Sequence, residues 1–324
     1  MARSAALAFV LALAGTSLHA ADIPIAQPTF TVPDSDLPTP LIMVTYGDMR
    51  FTTTSETEAS NPAARQALVA RVASEHPSAL FLNGDVPYHG QAEDYAVYRQ
   101  ETRAWRAAHL RVYPALGNHE FSGCSEALCL DLWWNAFPEV RSLRWYSVAL
   151  GQTVLAIALD SDTSLLPGSD QRSWLEAQLA GIPPLVRFVL IFLHHPPVAD
   201  LQVGDLANHN PRPNEISLAE YLRGVARHSK TRFLVSAGHT HNYERFFQDG
   251  VVYLVSGGGG ASPYPVVRGA SDLYQSGDFP NYHYLRLELR DNKVTGEMFR
   301  LADYSAAAPA TWDRKDRFEI SLLP

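Results

Sequence analysis

The stretch FLVSAGHTHNYER, residues 233–245, joins an apolar run to a cluster of polar residues. It begins with Phe233-Leu234-Val235, a short apolar run typical of a buried strand, and Gly238-His239-Thr240-His241 follows closely. In α/β proteins, ligands collect beyond the carboxyl ends of the strands, so polar side chains placed there are candidates for a functional site. The sequence therefore predicts a strand that delivers His239 and His241 to such a site.

The same pattern of an apolar run followed by polar residues occurs four more times upstream. The polar residues that follow these runs are Asp48, Asp85, Asn118 with His119, and His194 with His195. Five strand ends that point one way would bring carboxylates, a carboxamide and several imidazoles into one cleft. These groups are ligands for Mn, Zn and Fe, so the pattern predicts a metal site.

This donor set also suits a particular reaction. Two ions about 3.5–4 Å apart need a shared ligand, and a carboxylate can bridge them with its two oxygens. Water bound between the ions loses a proton readily and becomes a hydroxide nucleophile, while the ions polarise a phosphoryl oxygen. A histidine outside the coordination shell can protonate the leaving group. The residue types therefore predict hydrolysis of a phosphoester by a metal-bound hydroxide.

The motifs match a known family. They are Gly47-Asp48, Gly84-Asp85-Val86-Pro87-Tyr88, Gly117-Asn118-His119-Glu120, Leu193-His194 and Gly238-His239-Thr240-His241-Asn242-Tyr243-Glu244-Arg245. In this order they resemble the calcineurin-like metallophosphoesterases. The tyrosine three residues after Asp85 and the ending Tyr243-Glu244-Arg245 resemble the purple acid phosphatase branch in particular. The resemblance covers about residues 41–300.

The resemblance implies a fold and a ligand set. The fold would be α/β, a four-layer α-β-β-α sandwich of two mixed sheets flanked by helices. The first metal would be held by Asp48, Asp85, Tyr88 and His241, with Asp85 bridging, and the second by Asn118, His194 and His239. In the purple branch the first ion is Fe(III), coloured by its tyrosinate ligand, and the second is Zn, Mn or Fe(II).

The first motif departs from the family pattern. Many members have a histidine two residues after the first aspartate, whereas this chain has Arg50. Arginine is always charged and cannot ligate a metal. Arg50 could contact a substrate phosphate, or it could form a structural ion pair beside the site, and both interpretations stay open.

Other residues near the motifs receive supporting roles. His119 is predicted to act as an outer-sphere acid or to orient the phosphate. Glu120 is predicted to fix a neighbouring imidazole, and His195 to pack behind the site. His209 is either substrate-facing, as in the purple phosphatases, or a plain surface residue. No Lys-Ser/Thr pair follows the glycines at 257–260, so they are predicted to let the backbone pass behind the metals rather than to bind phosphate.

The leading functional hypothesis is hydrolysis of phosphomonoesters on small phosphorylated substrates. The first alternative is a phosphodiesterase that acts on small diesters or nucleotides. A second, motivated by Arg50, is a non-catalytic protein that binds metal or phosphate. The net charge is −8 and Lys and Arg are not clustered, which argues against nucleic acid as a partner.

The remaining patterns concern domains and processing. Residues 1–20 read as a cleaved signal peptide without a stable membrane anchor, which predicts export to the periplasm or the medium. Residues 21–40 read as a Pro-rich linker and residues 41–324 as one catalytic domain of unknown oligomeric state. In an oxidising compartment Cys124 and Cys129 could form a small-loop disulfide or remain unpaired.

The predicted helices lie between these strands. Four segments have helical patterns. One starts at Asn61-Pro62, one covers about 92–108, one is capped by Asp170 and stopped by Gly181, and one covers 216–228.

Overall fold

The computed structural model describes residues 25–304 and 309–323. The predicted signal peptide, residues 1–20, lies outside the described residues. Strands and helices are numbered below in chain order. No helix within the described ranges is long and apolar enough to cross a membrane.

A seven-stranded mixed sheet forms one half of the centre. Its strands, in spatial order, are β1 (Phe30–Val32), β5 (Tyr146–Leu150), β6 (Val154–Ala158), β7 (Phe188–Phe192), β8 (Arg232–Ala237), β10 (Val251–Ser256) and β9 (Tyr243–Gln248). Strands β6, β7, β8 and β10 run parallel to one another, whereas β5 and β9 run antiparallel to their neighbours β6 and β10. The carboxyl ends of β7 and β8 therefore lie at the same edge.

A six-stranded mixed sheet forms the other half. Its strands, in spatial order, are β13 (Thr311–Ser321), β12 (Lys293–Asp303), β11 (His283–Arg290), β2 (Leu41–Tyr46), β3 (Ala79–Leu82) and β4 (Val112–Pro114). Strands β2, β3 and β4 are parallel, and β11 to β13 form an antiparallel extension. This sheet thus also has three parallel strands that end at one edge.

Helices cover the outer faces of both sheets, which confirms the predicted sandwich. They are α1 (Pro62–Ser74), α2 (Ala92–Glu101), α3 (Arg103–Ala107), α4 (Glu126–Ala136), α5 (Asp170–Ala180) and α6 (Pro213–Arg227). Apolar side chains of α5 and α6 pack on the seven-stranded sheet. Helix α1 packs on the six-stranded sheet. Helix α3 contacts α1, and α2 contacts both α3 and α4.

The apolar residues of β7 show how one strand serves two layers. Successive side chains of a strand point to opposite faces, so a strand buried on both faces is apolar throughout. Val189 and Ile191 pack towards α5 and α6, whereas Leu190 and Phe192 face the six-stranded sheet. The Phe192 ring lies 4.9 Å from that of Phe81 on β3, between their centroids. Contacts of this kind fix the two sheets against each other.

A buried polar network joins the sheets next to the parallel strand ends. The Thr45 hydroxyl donates to Asn83 Oδ1 at 2.9 Å and lies 3.1 Å from the Ser236 hydroxyl. Asn83 Nδ2 donates to the same Ser236 oxygen at 2.9 Å. All three side chains are fully buried, and buried polar groups are tolerated when their hydrogen bonds are satisfied. The network ties β2, the residue after β3, and β8 together.

Most helix boundaries agree with the prediction, with three differences. The helix at Asn61 is confirmed, and the Asn61 side chain accepts from the Ala64 N–H at 3.1 Å. The stretch over 92–108 divides into α2 and α3 at Thr102. The predicted cap at Asp170 is wrong, because the Ser169 hydroxyl caps α5. Helix α6 begins three residues early, at Pro213, since proline suits a first helical turn.

Part of the predicted Pro-rich linker belongs to the sheet. Residues 30–32 form β1, which pairs in parallel with Val148 to Leu150 at the edge of the seven-stranded sheet. Three residues are too few to show a periodicity in the sequence, so this strand was not predicted. Only Val32 of the three is buried, which is sufficient for a short edge strand.

The two cysteines are joined. Cys124 and Cys129 form a disulfide with a Cα–Cα distance of 5.6 Å. The bond ties the loop after residues 118–121 to the first turns of α4. Of the two alternatives that the sequence left open, the structure therefore contains the disulfide.

We expect the double substitution Cys124→Ser, Cys129→Ser to lower the free energy of unfolding by about 2 kcal/mol, since a short disulfide loop restricts the unfolded chain only modestly. Denaturant unfolding of the oxidised protein measures the change. Addition of a reductant should destabilise the wild-type protein by a similar amount and leave the variant unaffected. A wild-type protein insensitive to reductant would contradict the role of this bond.

Candidate metal centre

The five motifs meet at one edge of the molecule, where the parallel strands of both sheets end. Strands β2, β3 and β4 of one sheet lead to Asp48, Asp85 and Asn118, and strands β7 and β8 of the other lead to His194 and His239. The site is therefore shared between the two sheets.

Four donor atoms from four motifs converge on one position, called the second position below. His194 Nε2 lies 3.0 Å from Asn118 Oδ1, 3.2 Å from His239 Nδ1 and 3.3 Å from Asp85 Oδ1. One carboxylate, one carboxamide and two imidazoles that face a common point fit a transition-metal ion. All four residues are among the predicted ligands.

His194 is oriented for this role by the loop after β3. Its Nδ1 lies 3.0 Å from the Asn83 carbonyl oxygen, which can only accept, so Nδ1 carries the proton. Nε2 is then left with a free lone pair towards the other donors. A hydrogen bond at the far nitrogen commonly fixes the tautomer and ring orientation of a metal-binding histidine.

Two further donors face each other at what is called the first position. Asp48 Oδ1 lies 3.5 Å from His241 Nε2, and both atoms are buried without a hydrogen-bond partner. The opposite nitrogen of His241 donates to the Ser262 carbonyl oxygen at 2.7 Å, so Nε2 is unprotonated. Buried polar atoms without partners are costly, and a cation bound between these two would satisfy both. The orphaned pair therefore fits a metal ion.

Burial sets the protonation of these groups. It raises the pKa of Asp48 to about 7, and the nearby Asp85 charge acts in the same direction. Burial also lowers the pKa of His241 to about 3, assisted by Arg50. Burial would raise the pKa of Asp85, but the positive charge of Arg50 and the backbone N–H of His119 hold that pKa below its usual range. Asp85 is thus a carboxylate and His241 a neutral imidazole, the forms that bind metals.

The residues just past the strands have unusual backbone conformations. Asp48, Arg50, Asp85 and His239 have φ values of 60°, 48°, 52° and 70°, in the left-handed region. Such residues cost on the order of 1–3 kcal/mol each unless their surroundings hold them. These turns follow closely on β2, β3 and β8, the strands that lead to the site.

Glu120 holds two of these turns, which corrects its predicted role. Its carboxylate accepts backbone N–H groups from Asp85 at 3.0 Å, Val86 at 2.9 Å and Gly117 at 2.9 Å. The prediction that Glu120 fixes an imidazole is therefore wrong. A fully buried carboxylate needs several donors, and the tight turns of the second and third motifs leave these N–H groups unpaired.

His119 lies beside Asp85. Its backbone N–H donates to Asp85 Oδ1 at 3.0 Å, and its Nε2 lies 3.9 Å from Asp85 Oδ2. The Nδ1 atom lies 2.6 Å from the Tyr88 carbonyl oxygen and must donate to it. Nε2 is therefore the nitrogen that faces the site.

Tyr88 lies against His119. The two rings stack with centroids 5.6 Å apart, and the Tyr88 ring also contacts His89 at 4.1 Å. These contacts describe the ring and not the hydroxyl, so the role of Tyr88 as a ligand at the first position stays a prediction.

Arg50 forms an ion pair with the shared carboxylate. Its Nη2 lies 3.3 Å from Asp85 Oδ2, the oxygen that does not face the second position. The predicted ion pair is therefore present, and the contact of Arg50 with a substrate phosphate stays a prediction.

The structure also brings His209 to the site. It ends a short 3-10 helix, residues 204–209, and its ring lies 4.8 Å from that of His239 and 6.2 Å from that of His241. His195 packs behind the donors, with Nδ1 2.8 Å from the Ser161 hydroxyl and its ring 4.3 Å from His239.

Several supporting residues were not predicted. Asn83 and Ser262 act through backbone carbonyl oxygens, which any residue type provides. The Tyr264 hydroxyl donates to the His239 carbonyl oxygen at 3.0 Å, and its ring lies 5.0 Å from that of His241. No motif in the sequence marks it.

The glycines after β10 take the predicted course. A Cβ on Gly257 would approach Asp48 Oδ2 within 2.8 Å, and the Gly259 N–H donates to the Gly47 carbonyl oxygen at 2.9 Å. This backbone therefore passes directly behind the first motif, where only glycine fits.

Comparison with known proteins agrees with this geometry. A relative, the glycerophosphodiester phosphodiesterase GpdQ of Enterobacter lignolyticus (strain SCF1), is 28% identical over 181 residues. The match covers 52% of this chain and 57% of that protein, so it spans little more than half of the relative.

Solved structures share the fold. The purple acid phosphatase PPD1 from yellow lupin (Lupinus luteus) seeds superposes with a TM-score of 0.67 at 17% identity, over 90% of this chain and 55% of the lupin chain. A structure of PhoD superposes with a TM-score of 0.64 at 13% identity, over 90% of this chain and 71% of that chain.

The family profile described as calcineurin-like phosphoesterase matches residues 18–257, which include all five motifs. The match covers most of the sequence and every donor at both positions. The chain belongs to the calcineurin-like phosphoesterase family.

Proposed function

We propose that this protein is a two-metal hydrolase that acts on phosphomonoesters of small molecules. The observation that carries the proposal is the position of Asp85. Its Oδ1 lies 3.3 Å from His194 Nε2 of the second position, and its carboxylate also lies within 4.8 Å of a carboxylate oxygen of Asp48 at the first position. A carboxylate placed in this way can serve two ions at once.

The protein's own residues would bind and orient the reactants. Two bound metal ions would supply Lewis acidity and lower the pKa of a water molecule between them. Asp85 is shared between the two positions, and His194 and His239 present their imidazoles from the opposite sheet. Residues from both sheets thus enclose a phosphoryl group from two sides.

His119 is suited to protonate the leaving oxygen. Because its Nδ1 donates to the Tyr88 carbonyl oxygen, Nε2 is the atom that exchanges a proton with the substrate side. The side chain is 18% exposed, so it is reachable from the cleft but outside both sets of donors. This is the placement that a general acid requires.

The charge of the site favours a monoester. Arg50 adds a permanent positive charge to those that two metal ions would bring, against the carboxylates of Asp48 and Asp85. The dianion of a phosphomonoester balances this excess better than the monoanion of a diester does. The likeness of the fold to a purple acid phosphatase is compatible with this choice.

A diesterase is the second candidate, because the relative GpdQ is named for glycerophosphodiester hydrolysis. The ratio of kcat/KM on para-nitrophenyl phosphate to that on bis(para-nitrophenyl) phosphate separates the two candidates. We expect a ratio above one. A faster reaction with the bis-ester would replace our proposal by the diesterase.

For the metals we propose a pair from Fe, Zn and Mn, since imidazole and carboxylate donors suit these ions. An Fe(III)–tyrosinate centre would require the Tyr88 hydroxyl to bind at the first position. We therefore propose Fe(III) with Zn, Mn or Fe(II) if Tyr88 is a ligand, and a pair without Fe(III) if it is not.

We also propose that the protein is exported. The signal-like residues 1–20 carry this proposal, and the disulfide between Cys124 and Cys129 is consistent with an oxidising compartment.

Asp85→Asn should lower kcat on para-nitrophenyl phosphate by about a thousandfold or more and remove at least one metal per chain, because a carboxamide bridges two ions poorly. Steady-state kinetics and elemental analysis measure both effects. Asp131→Asn, an exposed change on α4, is the matched control and should alter neither. Full activity of the Asp85 variant would refute the two-metal proposal.

His119→Gln tests the acid. We expect kcat to fall about a hundredfold or more for an alkyl phosphate and much less for para-nitrophenyl phosphate, whose leaving group needs no proton. The exposed His228→Gln serves as the control. Equal losses on both substrates would mean that His119 positions the substrate rather than protonates it.

A further inference from the structure

Arg50 places a positive charge beside side chains that could bind a metal cation. Its guanidinium carries a permanent positive charge and lies 3.3 Å from Asp85 Oδ2, whereas His194 of the second position lies 3.3 Å from the other oxygen, Oδ1. The side chain is 16% exposed, and its Nε is buried without a hydrogen-bond partner. The charge is therefore largely removed from water and is not neutralised by a carboxylate of its own.

The backbone of Arg50 is held independently of any ion in the site. The Arg50 N–H donates to the Asp85 carbonyl oxygen at 3.0 Å, and the Arg50 carbonyl oxygen accepts from Arg65 Nη1 at 3.1 Å. Arg65 is itself fully buried and makes two hydrogen bonds, of 2.9 and 2.8 Å, to the Glu101 carboxylate. Binding of a metal would therefore leave the Cα of Arg50, from which the side chain extends, in place.

The donors at the two positions are unequal in number. Four donor atoms from protein side chains converge on the second position, including Asp85 Oδ1, which Arg50 does not contact. The first position has Asp48 Oδ1 and His241 Nε2, and its share of Asp85 is the oxygen paired with Arg50. A metal ion and a guanidinium would compete there for the same lone pairs.

We propose that Arg50 makes the two metal positions unequal, so that the protein binds one ion tightly at the second position and one weakly at the first. The inference rests on the proposed two-metal function and concerns its metal occupancy. The guanidinium repels an ion at the first position by direct charge, and it also withdraws one oxygen of Asp85 from that ion. The first position then fills only when free metal is abundant.

Metal binding by the full chain tests this inference without any substrate. Metal-free protein is titrated with Mn²⁺ and, separately, with Zn²⁺ by calorimetry, and equilibrium dialysis with elemental analysis gives the ions bound per chain. For the wild-type protein we expect one tight ion and a second ion with a Kd at least about a hundredfold larger.

Arg50→Gln removes the charge and retains a polar side chain. We expect the weaker Kd to fall at least about tenfold, while the tighter Kd changes less than about threefold. Arg50→Lys retains the charge and should leave the two ions unequal. Arg286→Gln is the matched control, since Arg286 is 15% exposed and pairs with Glu75 just after α1, Glu288 on β11 and Glu297 on β12, none of which is a metal donor. Thermal unfolding of each variant confirms that it folds.

Two equally tight ions in the wild-type protein would overturn the inference. So would an unchanged weak Kd in Arg50→Gln, or an equal change in both constants. These outcomes are separable from the proposed function, because equal ions with normal turnover refute the inference alone. Unequal ions that respond to Arg50 without phosphoester turnover would support the inference and refute the activity.

Discussion

The buried carboxylate of Asp85 is the constraint on which the site depends. A fully buried charge is stable only when donors surround it, and Asp85 receives a backbone N–H from His119 and faces His194 and Arg50. Its own backbone N–H is held by Glu120, which is equally buried. The second and third motifs are therefore parts of one hydrogen-bonded unit, and the conformation of each depends on the other.

The packing of the two sheets determines the distances in this unit. Asp85 and Asn118 follow strands of one sheet, whereas His194 and His239 follow strands of the other. Their donor atoms meet within 3.3 Å only because apolar contacts such as that of Phe81 with Phe192 fix the sheets, and because the polar network at Asn83 closes them next to the site. The distances between the donor atoms thus depend on the packing of the core, so substitutions in the core will change the geometry of the metal centre.

The sequence predicted the parts of this structure that depend on local pattern. Apolar runs that end in Asp, Asn or His indicated five strands and nearly all donors, because strand direction carries those side chains to one edge. Contacts between residues far apart in the chain were harder to predict. Glu120 was assigned to an imidazole because no local pattern shows which turns leave N–H groups free, and Asn83 and Ser262 act through carbonyl oxygens that no residue type reveals.

Arg50 shows what a departure from pattern can indicate. A cation beside donors for cations would ordinarily be selected against, and its left-handed backbone adds a further cost. Yet the fold supports it with a buried arginine, Arg65, and a carboxylate, Glu101, neither of which contacts the donors. A residue that departs from the local sequence pattern, and that is held by residues outside the site, is expected at functional sites. In a two-metal hydrolase, a fixed charge there would lower the occupancy of the first position and would attract the phosphate of the substrate, so that the one residue would affect both metal binding and the preferred charge of the substrate.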